Sequence, residues 1–186
     1  MTASALLVAL AVQATANPSA PARDVPVAYN RQVGQWHVVG DRALGACILS
    51  LEAPGRTQLR VAATGQQAEL VFSLKNNAWK SLPDDKEGRL WAHFSTGRTL
   101  TDSWNLSVVS YNSDERGPVL NFTIDRAKND GASFIEQFSA ADSVSFFREK
   151  VPVATFDLQG SSQGIGLLVG CRAYLRADPS FDPFAE

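Results

Sequence analysis

At 186 residues and 20.1 kDa, 45% of them hydrophobic and 19% charged, the chain is the size of one globular domain that can bury a core. Seventeen Lys and Arg against nineteen Asp and Glu give a net charge of −2 and a pI of about 5.7, without the basic excess that neutralises phosphates, so nucleic-acid binding is excluded. Two histidines and two cysteines leave zinc-finger, iron–sulfur and haem chemistry short of ligands, and no cofactor is indicated.

The chain opens on MTASALLVALAVQATA. Its longest apolar run, Ala5 to Val12, has eight residues, against the roughly 20 that a membrane-spanning helix requires. Ala14-Thr15-Ala16 has the small-x-small form of a signal-peptidase site, so residues 1–16 read as a signal peptide, although no Lys or Arg precedes the apolar run. The competing reading is a core helix or strand. The next ten residues, NPSAPARDVP, hold three prolines and continue no core element, and residues 17–32 read as a flexible linker. No lipid-attachment cysteine sits directly after the apolar run, so a lipid anchor is not supported.

Residues 33–177 read as a single domain. Leu59, Val61 and Ala63 alternate with polar neighbours, as do Leu70, Phe72 and Leu74, then Trp104, Leu106 and Val108, then Leu120, Phe122 and Ile124. One-sided strands of this kind pair antiparallel. Pro54-Gly55, Gly65, Pro83-Asp84-Asp85, Gly97 and Gly117-Pro118 punctuate them as turns. Asp84 to Glu87 reads as a solvated hairpin loop, lacking the spaced oxygen donors of a calcium site. No helix-length segment interrupts Trp36 to Asp125. Two helices come late: one from a Ser133/Glu136 capping box with Phe134, Ile135, Phe138 and Ala141 on its apolar stripe, one from Ser161 with Leu167, Leu168, Cys171 and Leu175. Two strands, about 144–148 and 152–159, lie between them. Gly166 and Gly170, four apart, predict a bare strip where another backbone comes close. Residues 178–186 read as a disordered tail. The expected fold is β-rich α+β: an antiparallel sandwich or open barrel with two short helices.

Cys47, in an apolar strand, and Cys171, on the last helix, most simply form one disulfide in an oxidising compartment. Trp36 followed by Cys47, Asn77 with Trp79 between hairpins, and Phe156-Asp-Leu-Gln-Gly-Ser161 leading into the Cys171 helix together resemble a group of small exported bacterial proteins of unassigned function. The resemblance runs from about Val33 to Leu175. It implies a periplasmic or secreted location and supports the disulfide, and it implies no chemistry.

Gly160-Ser161-Ser162-Gln163-Gly164 is a literal G-x-S-x-G between a strand and a helix, which in a hydrolase would expose Ser162 as nucleophile. That fold needs a histidine later in the chain, and none follows His93; a helix N-cap at Ser161 or Ser162 explains the motif. His37 and His93 lack metal-site spacing, and no carboxylate pair suggests itself, so no catalytic or metal residue is nominated. In LWAHFST, Leu90, Ala92 and Phe94 share one face and Trp91 and His93 the other. If the first face is core, an indole and an imidazole stand together on the outer one, either as a cluster covered by a helix or as a binding patch. The expected function is an exported, monomeric, non-enzymatic domain that binds an unknown protein or envelope component through Trp91 and His93. The alternatives are a serine hydrolase and a small inhibitor of exported proteases.

Overall fold

The computed structural model describes residues 29–42, 45–64, 68–113 and 117–177. The expected signal peptide, most of the linker and the C-terminal tail lie outside the described residues. Ten strands form one antiparallel sheet: β1 (Tyr29–Val33), β2 (Trp36–Asp41), β3 (Ala46–Glu52), β4 (Gln58–Thr64), β5 (Glu69–Lys75), β6 (Lys86–Thr96), β7 (Thr99–Ser113), β8 (Gly117–Asp125), β9 (Ser143–Arg148) and β10 (Val151–Asp157). Helix α1 (Asn129–Ala140) separates β8 from β9, and α2 (Ser161–Ala177) follows β10. The β-rich α+β expectation holds. Strand β1 takes in Tyr29 to Gln32, residues expected as linker, because their backbone pairs with His37 to Gly40 of β2.

The spatial order is β1-β2-β3-β4-β5-β8-β7-β6-β9-β10. Since β5 pairs with β8 and β6 with β7 and β9, the stretch from Lys75 to Lys86 is a crossover rather than the expected hairpin loop. Asn112 of β7 holds it: its side-chain amide donates to the Leu82 carbonyl at 2.7 Å and the Lys80 carbonyl at 3.3 Å, and its backbone N–H donates to Asp84 at 2.8 Å.

Among the described residues no second sheet stacks on the first, so the fold is not a two-sheet sandwich. The single sheet curls instead. Phe122 of β8 and Phe146 of β9 have ring centroids 5.9 Å apart although two strands lie between them in the sheet. Trp36, on β2, donates through Nε1 to the Gln159 carbonyl beyond β10 at 3.0 Å, so opposite ends of the sheet nearly meet. The residues predicted as core on the alternating strands are buried except Trp104 and Leu120, which are half-buried against the core, and Phe134 and Phe138 of α1 fill the hollow. Phe134 touches Phe72, Phe94, Trp104 and Phe122 edge-on, and Phe138 touches Trp36 and Phe72 likewise. Such aromatic pairs add about 0.5–1.5 kcal/mol each beyond their buried area.

Three local expectations are corrected. The capping box is not used, because α1 starts four residues earlier, at Asn129, and Ser133 lies inside it; Lys128 is the N-cap and contributes no side-chain bond. Asp125 organises this entry instead: its carboxylate accepts from the Ala127 N–H and its carbonyl from the Lys128 N–H. At the start of α2 neither serine caps the helix; Ser161 Oγ is buried without a hydrogen-bond partner, and the Gly164 N–H donates to the Gly160 carbonyl. The close approach on α2 lies at Gly164, where an added Cβ would stand 3.0 Å from Leu49 and 3.5 Å from Trp36, whereas Gly166 faces open space.

Candidate functional site

Cys47 of β3 and Cys171 of α2 are joined in a disulfide, both fully buried, with Cα atoms 6.1 Å apart. Gly40 on β2 makes room for it: a Cβ there would come within 2.9 Å of the Cys171 sulfur and 2.8 Å of the Tyr29 Cβ. The bond ties the helix to the strands beneath it, and a free thiol is absent from the described residues. A bond of this kind persists in oxidising compartments. No helix among the described residues is long and apolar enough to cross a membrane.

The outer face of β6 is built by strict alternation. Leu90, Ala92 and Phe94 are buried to within 1% of complete, which forces Trp91 and His93 to the convex side. Trp91 stands 37% exposed. It pairs across with Asn105 of β7 on one side and Phe147 of β9 on the other. His93 pairs with Ser103 and Ser145, and its ring lies 4.8 Å from that of Phe147, tilted by 37°. Ser145 in turn shares a hydrogen bond of 2.9 Å with Thr155 of β10. The two helices pack on β1, β2, β3 and β8, and α1 reaches β7 from the inside, where Gln137 accepts from Trp104 Nε1 at 2.7 Å. The aromatic trio of Trp91, His93 and Phe147 therefore lies across the sheet from the helix-packed hollow. Two residues along the strand, Arg89 faces Ser107, and a shallow hollow of about 480 Å³ opens there beside Glu87 and Val109. The surface offers an aromatic anchor, hydroxyls, an amide and one guanidinium, groups that bind by stacking and hydrogen bonding rather than by transferring atoms.

The G-x-S-x-G turn is a packing device. Gly160 has φ +85° and would set a Cβ 3.4 Å from Trp36, and Gly164 admits Leu49, so both glycines serve the contact between α2 and β2. Ser162 is exposed on the first turn, and neither histidine hydrogen-bonds to it. His37 instead meets the side chain of Asn30. No cluster of three or more metal-ligating side chains occurs among the described residues.

A second concave feature escaped the sequence reading. A cleft of about 550 Å³ lies between the crossover and the β9–β10 hairpin, walled by Trp79, Leu82, Leu120 and Val153, with Arg148 and Val151 at its rim. It was hidden because its walls come from four segments whose meeting depends on β6 leaving β5 for β7. The available signal was Trp79, an indole in a turn-rich segment rather than a strand. No family model matches the chain, and neither a curated protein nor a solved structure is found to resemble it.

Proposed function

We propose that the protein is an extracytoplasmic, non-enzymatic binding domain that captures a protein or other envelope component on the convex face of its sheet, with Trp91 as anchor and His93 beside it. One observation carries this reading: a tryptophan 37% exposed in the middle of a regular strand whose alternate residues are completely buried. Tryptophan is enriched where a few residues supply most of the binding energy, and here its neighbours across the sheet are an amide and a second aromatic ring. The disulfide supports the compartment. A hydrolase using Ser162 finds no support in the turn geometry, since neither histidine hydrogen-bonds to the serine.

The test is a cross-linking capture from the cell envelope with wild-type protein, Trp91→Ala, and Val169→Ser, which alters an exposed residue on α2. A product lost in Trp91→Ala and kept in Val169→Ser supports the proposal. Equal capture by all three refutes it, and fluorophosphonate labelling that Ser162→Ala abolishes would replace it with the hydrolase. N-terminal sequencing of exported material is expected to begin at Asn17.

A further inference from the structure

The Trp79 cleft lies apart from the Trp91 face and asks for a different ligand. Its floor is apolar: Trp79, Leu120 and Val153 pack partly against the core, Leu82 is half-buried, and Val151 on the rim is 65% exposed. A smaller recess of about 110 Å³ continues it past Leu82 and Leu120, sharing Arg148 and adding Lys86. Against these two cations stands one carboxylate, Glu149, since Glu87 and Arg89 belong to the convex face. Neither Arg148 nor Lys86 forms a salt bridge among the described residues. The Asn112 hydrogen bonds hold the crossover in place, so the cleft exists before anything enters it. Its volume lies within the range of about 300–1,000 Å³ usual for small-molecule sites.

We propose that this cleft binds a single-chain anionic amphiphile, a medium-chain fatty acid, with its hydrocarbon along Trp79, Leu82, Leu120 and Val153 and its carboxylate at Arg148. An apolar groove with an excess of unpaired cations at one end matches that division of chemistry. The guanidinium fork suits a carboxylate in two-point contact. Binding needs neither the convex face nor its partner.

The test is calorimetric titration of the oxidised protein with dodecanoate below its micelle concentration, followed in parallel by tryptophan fluorescence. Saturable one-to-one binding is expected, with the fluorescence change lost in Trp79→Phe. Arg148→Gln should weaken dodecanoate about fivefold, the scale of one exposed charge-assisted contact, and leave neutral dodecanol unchanged. Val151→Asp, at an exposed rim position, should also weaken dodecanoate, by repulsion. Trp91→Ala should bind as wild type, which separates this site from the convex face. Absence of saturable binding overturns the proposal, as does an affinity that neither Arg148→Gln nor Val151→Asp changes, or equal binding of dodecyltrimethylammonium.

Discussion

Replacing Gly131 by alanine tests whether α1 is seated as closely on β8 as described. In a free helix the change stabilises, because alanine is better than glycine by about 1 kcal/mol. Here the added Cβ would stand 2.6 Å from the Asp125 carbonyl carbon, closer still to its oxygen, and 3.3 Å from the Arg126 nitrogen. All three obstacles are backbone, so no rotamer change relieves them. The helix start and the strand end must part by roughly 1 Å, in the very turn where Asp125 accepts from Ala127 and Lys128. Phe134, one turn on, moves with it and loosens its edge contacts to Phe72, Phe94 and Phe122. Overpacking costs about 1–3 kcal/mol, and a collision with main chain belongs at the upper end, so after the helical gain a net loss of about 2 kcal/mol is expected. Gly166→Ala on α2 is the matched control. Its Cβ meets nothing within 4 Å, so the same substitution should stabilise by about 0.5–1 kcal/mol. Urea unfolding of the oxidised protein, read by tryptophan fluorescence, should place the two midpoints on opposite sides of wild type with equal slopes. A Gly131→Ala protein as stable as wild type would falsify the close seating of α1.

The disulfide predicts an intact mass 2 Da below the reduced protein, two hydrogens having been lost, and no alkylation after unfolding without reductant. Cys47→Ala and Cys171→Ala should each lower stability by about 2–5 kcal/mol, since either opens the same 124-residue span; widely different losses would show that packing at one cysteine dominates. Trp91→Ala should cost under about 1.5 kcal/mol in the same unfolding assay, against roughly 3–5 for a core aromatic, and a core-sized loss would argue that its side chain packs rather than binds. Asn112→Ala removes two side-chain bonds to the crossover and should cost about 1–2 kcal/mol while raising protease cleavage between Asn76 and Asp85; unchanged proteolysis would mean that other contacts hold the segment.

What could be read from the residues was whatever depends on near neighbours. Period-two alternation located the inner faces of β4, β5, β7 and β8, because a residue facing the hollow must be apolar whichever strand lies beside it. The same rule placed Trp91 and His93 outside. Strand order was not legible, since the turn after β5 has the composition of a hairpin and only the longer-range pairing of β5 with β8 makes it a crossover. The Trp79 cleft depends on that crossover and was hidden with it. The start of α1 was missed because Ser133 and Glu136 form a plausible cap in isolation. Asn129, Asp130 and Gly131 are weak helix formers that join the helix only because Asp125 receives them. The bare strip expected at Gly166 and Gly170 was misplaced for a related reason: spacing along a helix says which residues share a face, not which face meets Trp36.

The near-meeting of the sheet's two ends sets a timetable for folding. Trp36 finds its acceptor 123 residues later at Gln159, Leu49 lies against Gly164, and Cys47 bonds to Cys171. A chain made from its N-terminus thus exposes the partners of α2 until residues 159–171 have been synthesised. Closing so long a loop is slow, and little in β1 to β3 can be buried before it closes. The early strands stay uncovered meanwhile, and oxidation of the two cysteines becomes a late event that seals a sheet already curled.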